Sequence, residues 1–191
     1  LRPNQQEVAD AWLRCGYGIV HAPTAWGKSI LCSWLIQNLA KRTLILADKE
    51  RHIQVVFEAL MQCTNLKELE QELGYAVCGT FGEMVTIQAN GERKVVPKPG
   101  TYYPITLATY QSFTSKRGQK YLPLLRDSFG LVWHEESHHE AAETFHAVTK
   151  SFNPWYRGGQ TATPTRGDKM HFVMYDTIGP VTASSTVETI K

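Results

Sequence analysis

The chain has 191 residues, of which 42% are hydrophobic and 20% are charged, and its formal net charge at pH 7 is +2. This composition is ordinary for a soluble globular protein, and the length suits one domain with a sizeable core. No segment approaches the roughly 18 apolar residues of a membrane span, and the small charge does not by itself indicate a polyanionic partner. The four cysteines show no C-x-x-C spacing, so we expect buried thiols, a reducing cytoplasmic compartment and no membrane partner.

The first predicted elements are a helix, a strand and a second helix. Residues 3–13 predict a helix with Pro3 in its first turn, ended by Gly16 and Gly18. Residues 18–22 are a short apolar run that predicts a buried strand, and residues 30–39 carry apolar residues at helical spacing. The segment between this strand and this helix is therefore placed like a phosphate-binding loop.

Residues 22–29 read Ala-Pro-Thr-Ala-Trp-Gly-Lys-Ser and approximate the pattern G-x-x-x-x-G-K-[ST], with Ala22 at the position of the first glycine. Lys28 is placed to reach the β- and γ-phosphates and Ser29 to put a hydroxyl on Mg²⁺, while backbone N–H groups cradle the anion. Trp26 is either a core residue or a ring that lies against the nucleotide. The loop residues expected to bind nucleotide are Thr24, Ala25, Trp26, Gly27, Lys28 and Ser29.

The rest of the chain alternates strands and helices. Further strands are predicted at 43–47, 75–78, 105–109, 131–133 and 157–162, and further helices at 53–60 and 66–73. Asn90-Gly91 between two β-branched runs predicts a tight hairpin, which we place as an insertion over about 82–103. The pattern predicts an α/β fold with a mostly parallel sheet flanked by helices, in which ligands bind at the carboxyl ends of the strands.

The string His134-Glu135-Glu136-Ser137-His138 allows two interpretations. From Glu135, one carboxylate holds Mg²⁺, through water, and Glu136 orients or deprotonates the attacking water. From His134, the same letters spell H-E-x-x-H, in which two imidazoles bind Zn²⁺ and Glu135 is the general base of a peptidase. The zinc interpretation needs a helix, and the apolar residues before His134 favour a strand.

Taken together, these motifs resemble the N-terminal RecA-like lobe of superfamily-two helicases and translocases, in the DEAH-like branch with restriction-enzyme motor subunits. Leu1-Arg2-Pro3-Asn4-Gln5 is similar to the adenine-reading segment, and the loop ending at Ser29 is similar to motif I. Residues 43–60 and 105–112 resemble motifs Ia and Ib, residues 135–138 resemble motif II, and Gly159-Gln160-Thr161-Ala162-Thr163-Pro164 resembles motif III. The resemblance covers nearly the whole chain and implies the RecA-like P-loop NTPase fold.

The resemblance also implies roles for individual residues. Gln5 would contact the adenine base, and Thr109 and Gln111 would contact the nucleic-acid backbone. Lys28, Glu135 and Glu136 would be catalytic, with Ser29 and Glu135 as the Mg²⁺ ligands. The residues expected to couple the nucleotide site to the nucleic-acid track are His138, Gln160, Thr161 and Thr163.

Two residues depart from the family pattern. Glu135 replaces the usual aspartate of motif II, and its extra methylene brings the carboxylate about 1.5 Å nearer the metal, although Mg²⁺ tolerates little distortion. Ala25 stands where this branch has glycine, so a positive φ there would be costly. The expected site is therefore a working or weakened ATPase site.

The resemblance implies an ATP-binding lobe of a nucleic-acid helicase or translocase, with ATP and Mg²⁺ as cofactors and DNA favoured over RNA. Residues 167–191 are too few for a second RecA-like lobe, so we expect residues 1–191 to be a single lobe that needs a second one from the parent protein. The isolated lobe is accordingly expected to bind nucleotide weakly and hydrolyse it poorly. A non-catalytic, nucleotide-dependent interaction module and the zinc peptidase are the alternatives.

Overall fold

The computed structural model describes residues 1–63, 73–76, 84–87, 93–96, 105–116, 118–138, 143–165 and 171–185. Within these ranges the helices are α1 (Pro3–Cys15), α2 (Lys28–Leu39), α3 (Glu50–Cys63), α4 (Tyr110–Thr114), α5 (Leu122–Leu125), α6 (Glu143–Lys150) and α7 (His171–Thr177). The strands are β1 (Tyr17–His21), β2 (Thr43–Ala47), β3 (Leu73–Ala76), β4 (Met84–Ile87), β5 (Arg93–Val96), β6 (Ile105–Thr109), β7 (Leu131–His134), β8 (Tyr156–Thr161) and β9 (Val181–Ser184). No described helix is long and apolar enough to cross a membrane.

Seven strands form one sheet in the order β3-β6-β2-β7-β8-β1-β9, and every pair of neighbours in it is parallel. This is the RecA-like α/β architecture that the sequence predicted. The carboxyl ends of β1, β7 and β8 lead directly into the phosphate loop, the acidic motif and the Thr-Ala-Thr-Pro string. Parallel pairing therefore brings these three motifs to one edge of the sheet.

The hydrophobic core lies on both faces of this sheet. Buried strands of a parallel sheet are apolar on both sides because successive side chains point to opposite faces. In β2, Ile45 and Ala47 belong to the cluster packed with α1, α2 and α3, whereas Leu44 and Leu46 belong to the cluster on the other face. A run of five apolar or β-branched residues with no polar alternation is thus explained by double-sided burial.

Several predicted boundaries and environments were wrong. Gly18 does not end α1, because it lies inside β1, while Gly16 caps the helix with φ 73°. The strand predicted at 75–78 begins earlier, at Leu73. The helix predicted at 66–73 lies outside the described residues except for Leu73, which belongs to this strand. Cys32 is a buried free thiol, but Cys15 and Cys63 are exposed.

Other elements agree with the predictions or extend them. β4 and β5 pair antiparallel from Met84↔Val96 to Ile87↔Arg93, as a hairpin requires, although the predicted Asn90-Gly91 turn falls outside the described residues. Helices α4, α5, α6 and α7 were not predicted, and neither was β9, which extends the sheet beside β1. The chain after the Thr-Ala-Thr-Pro string thus contributes to the same sheet.

A glycine in β8 permits two tryptophans to pack over the sheet. Trp12 of α1 and Trp133 of β7 meet edge to face with ring centroids 5.4 Å apart. A Cβ at Gly158 would lie 2.5 Å from Trp12 Cζ2 and closer still to the Trp133 ring. Both indoles are fully buried, so neither can move aside without opening the core.

We therefore expect Gly158→Ala to lower the free energy of unfolding by about 1–3 kcal/mol, the usual cost of overpacking a core. Gly130→Ala at the start of β7 is the matched control. Its Cβ would meet only the aliphatic part of the flexible Lys41 side chain, at 3.0–3.4 Å, so its cost should be much smaller. Urea denaturation of the two variants compares them, and equal losses would contradict this view of the packing.

Candidate nucleotide-binding site

The phosphate loop connects β1 to α2 at the carboxyl edge of the sheet. Gly27 precedes α2 with φ 96°, and Ala25 has φ 63°. Both are in the left-handed region, which glycine adopts freely and alanine adopts at a cost of about 1–2 kcal/mol. Thr24 and Ala25 are exposed. The loop thus has the left-handed turns of an anion-binding backbone, and Ala25 keeps one of them despite its side chain.

Lys28 is the first residue of α2 and folds back over the loop. Its Nζ lies 3.3 Å from the carbonyl oxygen of Ala22 and 3.4 Å from that of Pro23. Ser29 is partly exposed in the first turn of the same helix. An ammonium group and a hydroxyl at the N-terminus of a 12-residue helix are suited to binding phosphate and a hydrated cation.

Gln5 is buried against the loop. Its Nε2 donates to the carbonyl oxygen of Trp26 at 3.0 Å, and its Oε1 accepts from the backbone N–H of Arg2 at 2.9 Å. The Arg2 guanidinium donates to the same Trp26 carbonyl at 2.5 Å. Gln5 therefore holds the loop backbone through its amide nitrogen and the residue before α1 through its amide oxygen. Sequence reasoning missed Arg2, since a single arginine before a helix carries no pattern that predicts this contact.

The Trp26 ring does not lie against a nucleotide surface. The residue is fully buried and belongs to the core cluster beneath the loop. The prediction that its ring contacts the nucleotide is therefore wrong, and the alternative, a core residue, is correct. The large apolar ring anchors the exposed part of the loop to the domain core.

Glu135 follows β7 and is 5% exposed. The amide nitrogen of Gln160 donates to both of its carboxylate oxygens, at 2.8 and 2.7 Å. Burial raises the pKa of Glu135 to about 7, and the neighbouring Glu136 adds to this increase, while the Gln160 hydrogen bond and the charge of Lys28 oppose it. Lys28 and Glu135, which lie 107 positions apart, are thus close enough to interact electrostatically.

The acidic motif is connected to the Thr-Ala-Thr-Pro string by hydrogen bonds. His138 Nδ1 lies 2.9 Å from Thr161 Oγ1, and the backbone N–H of Thr163 donates to the same oxygen at 3.1 Å. Ser137 Oγ donates to the carbonyl oxygen of Gln160 at 3.2 Å. The structure thereby brings together His138, Gln160, Thr161 and Thr163, the four residues expected to couple the two sites. Ser137 is an additional contact that the sequence did not predict.

Glu136 is more exposed than Glu135 and has a left-handed backbone with φ 47°. Its side chain is 28% exposed, and its Oε2 lies 3.4 Å from His138 Nδ1. A left-handed conformation is unusual for a residue with a long side chain, and it turns the backbone immediately after the buried strand. Two adjacent carboxylates therefore have different environments, one buried and one open to solvent.

The two predicted nucleic-acid contacts differ in accessibility. Gln111 is exposed, and its Nε2 donates to the carbonyl oxygen of Asp48 at 2.9 Å. Thr109 is 3% exposed and lies 3.2 Å from Ser112, hydroxyl to hydroxyl. Its side chain is part of the internal packing at the start of α4, so in this conformation the side chain is not accessible to nucleic acid.

The zinc-peptidase interpretation is wrong. H-E-x-x-H requires both histidines on one helix, but His134 ends β7 and is fully buried. Burial, with a smaller effect from Arg157, lowers its pKa to about 3. Its Nδ1 is used in a hydrogen bond of 2.7 Å with the Tyr110 hydroxyl. Among the described residues, no group of three His, Cys, Asp or Glu side chains could hold a metal ion.

Residues 1–166 match the family described as "Type III restriction enzyme, res subunit". The chain belongs to this family. It is 30% identical over 184 residues to the DNA 3'-5' helicase XPB of Kineococcus radiotolerans, covering 94% of this chain and 29% of that protein. It is 27% identical over 188 residues to the DNA 3'-5' translocase XPB2 of Sulfurisphaera tokodaii, covering 98% and 36%.

Solved structures of helicase and ATPase cores share the fold of this domain. The UvsW helicase of bacteriophage T4 superposes with a TM-score of 0.64 at 13% identity, covering 96% of this chain and 60% of that one. The Sulfolobus solfataricus SWI2/SNF2 ATPase core in complex with dsDNA gives 0.66 at 14% identity, covering 93% and 35%. The domain therefore shares the fold of these helicase and ATPase cores. It spans about a third of the length of its curated relatives.

In this domain, Ala25→Gly should relieve the backbone strain that the positive φ of Ala25 causes in the loop. We expect the free energy of unfolding to rise by up to about 1 kcal/mol. Because the loop has this conformation without nucleotide, the relief stabilises the free and the nucleotide-bound domain alike, and the affinity for Mg-ATP should change by less than about two-fold. Urea denaturation and isothermal titration measure the two quantities. Ala22→Gly is the control: Ala22 is fully buried and has no positive φ, so glycine there should not raise stability. An equal gain in both variants would contradict the strain argument.

Proposed function

We propose that this domain binds Mg-ATP and hydrolyses it to drive movement along nucleic acid, with duplex DNA as the track. The observation that carries the proposal is the meeting of Lys28 with Glu135 and Glu136 at one edge of the sheet, reflected in the electrostatic effect of Lys28 and Glu136 on Glu135. A phosphate-binding cation next to two carboxylates is the arrangement needed for attack of water on a phosphoryl group.

The residues fit a magnesium ion. Glu135 is a carboxyl whose pKa is raised by burial and by the neighbouring Glu136, and a divalent cation would stabilise its ionised form. Ser29 and Glu135, the latter through water, would hold the ion, since Mg²⁺ prefers oxygen ligands and keeps much of its water shell. When bound, Mg²⁺ would neutralise phosphate charge as the transition state forms.

Other residues of the chain would bind phosphate, activate water, couple the two sites and contact adenine. Lys28 would exchange its two loop carbonyls for phosphate oxygens, which bind an ammonium group more strongly. Glu136, the more exposed carboxylate, would orient or deprotonate the attacking water. His138 and Gln160 would transmit the state of the nucleotide site to the Thr161–Thr163 segment. Gln5 would contact the adenine base after rearranging one of its two hydrogen bonds.

DNA is the proposed track because both curated relatives are named for action on DNA, and one structural neighbour was solved with dsDNA. A second RecA-like lobe of the parent protein is the proposed partner, because the family requires one to complete the catalytic site. A cytoplasmic location is proposed from the free thiols.

ATP hydrolysis by the full-length protein, measured with duplex DNA, single-stranded DNA, RNA and no nucleic acid, tests the proposal. We expect the largest stimulation with duplex DNA and much slower hydrolysis by the 191-residue chain alone. Robust nucleic-acid-stimulated turnover by that chain would overturn the need for a second lobe. No ATP binding by either protein would overturn the nucleotide site itself.

A further inference from the structure

A buried polar pair connects the segment that carries Gln111 to the strand that leads into Glu135 and Glu136. Tyr110 and His134 are both fully buried. The Tyr110 hydroxyl lies 2.7 Å from His134 Nδ1, and the two rings lie nearly parallel with centroids 6.0 Å apart. His134 Nε2 has no hydrogen-bond partner among the described residues, so the bond to Tyr110 is the specific polar contact of this imidazole.

The pair spans an intervening strand. Tyr110 follows β6 and His134 ends β7, yet β6 and β7 are not neighbours, because β2 lies between them in the sheet. The backbone N–H of Glu135 donates to the carbonyl oxygen of Leu46 in β2 at 2.8 Å. The Tyr110 side chain therefore reaches across the end of β2 to the residue that directly precedes Glu135.

The neighbours of Tyr110 show what this contact joins. Gln111, the next residue, is exposed and is tied to the end of β2 through the Asp48 carbonyl. On its other side, the Tyr110 ring stacks on Phe145 of α6 with centroids 4.3 Å apart and an interplanar angle of 8°. Tyr110 is thus fixed by packing, and any shift at the start of α4 would have to move its hydroxyl relative to His134.

We propose that the Tyr110–His134 hydrogen bond is a coupling contact, through which engagement of DNA at the start of α4 positions Glu135 and Glu136, and that Tyr110 is a positioning residue for hydrolysis. The inference rests on the proposed function. A hydrogen bond in a dry interior has a narrow range of favourable geometries, so it transmits displacement better than apolar packing alone. The partner sensed at this position is the DNA backbone next to Gln111.

Tyr110→Phe in the full-length protein tests the proposal, since it removes the hydroxyl and keeps the ring stacked on Phe145. The readout is the ratio of the dissociation constants for a duplex oligonucleotide without and with a non-hydrolysable Mg-ATP analogue. Coupling between sites is typically 5- to 150-fold, and we expect the variant to lose at least about five-fold of the wild-type ratio. The stimulation of ATP hydrolysis by DNA should fall in the same variant, because DNA would no longer position Glu135 and Glu136 through this bond.

Thr149→Val is the matched control. Thr149 is also fully buried, and its hydroxyl donates to the carbonyl oxygen of Phe145 at 3.1 Å, so the variant loses a buried hydroxyl in the same region without touching His134. A wild-type ratio in Thr149→Val with a reduced ratio in Tyr110→Phe supports the proposal. Equal ratios in Tyr110→Phe and wild type overturn it. If wild type itself shows neither coupling nor DNA-stimulated hydrolysis, the proposed function is overturned as well. Failure of the coupling proposal alone therefore differs from failure of the proposed function.

The double variant Tyr110→Phe with His134→Leu separates coupling from stability. Replacing both partners of a buried hydrogen bond by apolar groups can be nearly neutral for folding. We expect the double variant to unfold at a temperature closer to wild type than Tyr110→Phe does, while its coupling ratio stays low. Recovery of both the unfolding temperature and the coupling ratio would show that the pair is only a packing device and would overturn the proposal.

Discussion

Replacing Glu136 by glutamine should lower the rate constant of ATP hydrolysis by about 10²- to 10⁴-fold, the usual contribution of a positioned general base. The substitution keeps the size of the side chain and its polarity but removes the carboxylate that would orient or deprotonate water. Glu136 is 28% exposed, so the loss of charge should not disturb the core. Binding of Mg-ATP should change by less than about three-fold, since the change affects the transition state more than the ground state.

Phosphate release by the full-length protein and nucleotide titration measure the two quantities separately. Glu58→Gln on the exposed face of α3 is the control, because it removes one carboxylate of the same type away from the site. If wild type and Glu136→Gln both bind Mg-ATP and neither hydrolyses it, the domain is a nucleotide-dependent interaction module and not a motor lobe. If wild type hydrolyses ATP and Glu136→Gln does so at the same rate, Glu136 is not the base. If Glu136→Gln loses Mg-ATP binding together with hydrolysis, Glu136 acts in binding or folding and its assignment as the base is wrong.

The parts of this site that can be predicted from sequence are those in which chemistry dictates local spacing. A phosphate loop needs a flexible backbone, a cation and a hydroxyl at fixed offsets after a strand, and residues 22–29 preserve these offsets although Ala22 and Ala25 replace glycines. The parallel sheet also follows from local pattern, because buried strands such as β2 are apolar throughout. Once the sheet is parallel, the motifs must meet at its carboxyl edge.

Two contacts between groups far apart in sequence could not be predicted. The Arg2 contact with the Trp26 carbonyl joins residues 24 positions apart, and the Tyr110–His134 bond spans the same separation across another strand. Neither Arg2 nor Tyr110 belongs to a periodic pattern that would indicate its partner. The burial of Trp26 and Thr109 could not be predicted either, because a residue in a loop or at a strand end is exposed or buried according to what packs on it.

The structure also changes the meaning of the Glu135 departure. At the sequence level, the longer side chain appears only as a problem of metal geometry. In the folded domain, both carboxylate oxygens are bonded to the Gln160 amide, and Gln160 is itself fully buried. The longer acid is therefore paired with a residue of the neighbouring strand β8, which ties the acidic motif to the segment that carries the Thr-Ala-Thr-Pro string.

Glu135→Gln should make the domain more stable than wild type at pH 8, because it removes a buried group that ionises with difficulty. The ordinary pKa of 4.5 applies in the unfolded chain, whereas the folded value is about 7. Below pH 4.5 both states hold the proton, so the group has no effect. Between pH 4.5 and 7 only the unfolded state releases it, and wild type loses stability that it does not regain at higher pH. The difference of about 2.5 units corresponds to about 3 kcal/mol.

His134 acts in the opposite direction and masks this loss in wild type. Its pKa is lowered from 6.5 to about 3, so as the pH falls below 6.5 only the unfolded state gains a proton, and stability decreases toward acid. Between pH 4.5 and 6.5 the slopes from these two groups oppose each other, so the profile of wild type alone does not isolate Glu135. In Glu135→Gln the opposing slope of Glu135 is absent, so the variant should gain stability relative to wild type from pH 4.5 to 6.5.

Urea denaturation of wild type and Glu135→Gln at pH 4.5, 5.5, 6.5 and 8 measures the effect as the difference between the two proteins, in which the His134 contribution cancels. We expect that difference to shift by about 3 kcal/mol in favour of the variant between the lowest and highest pH. The fold should tolerate the change because the new amide can pair with the Gln160 amide, whose Oε1 has no partner among the described residues. A difference independent of pH would mean that Glu135 titrates normally and is not buried as described, and the argument that this carboxyl calls for a divalent cation would lose its basis.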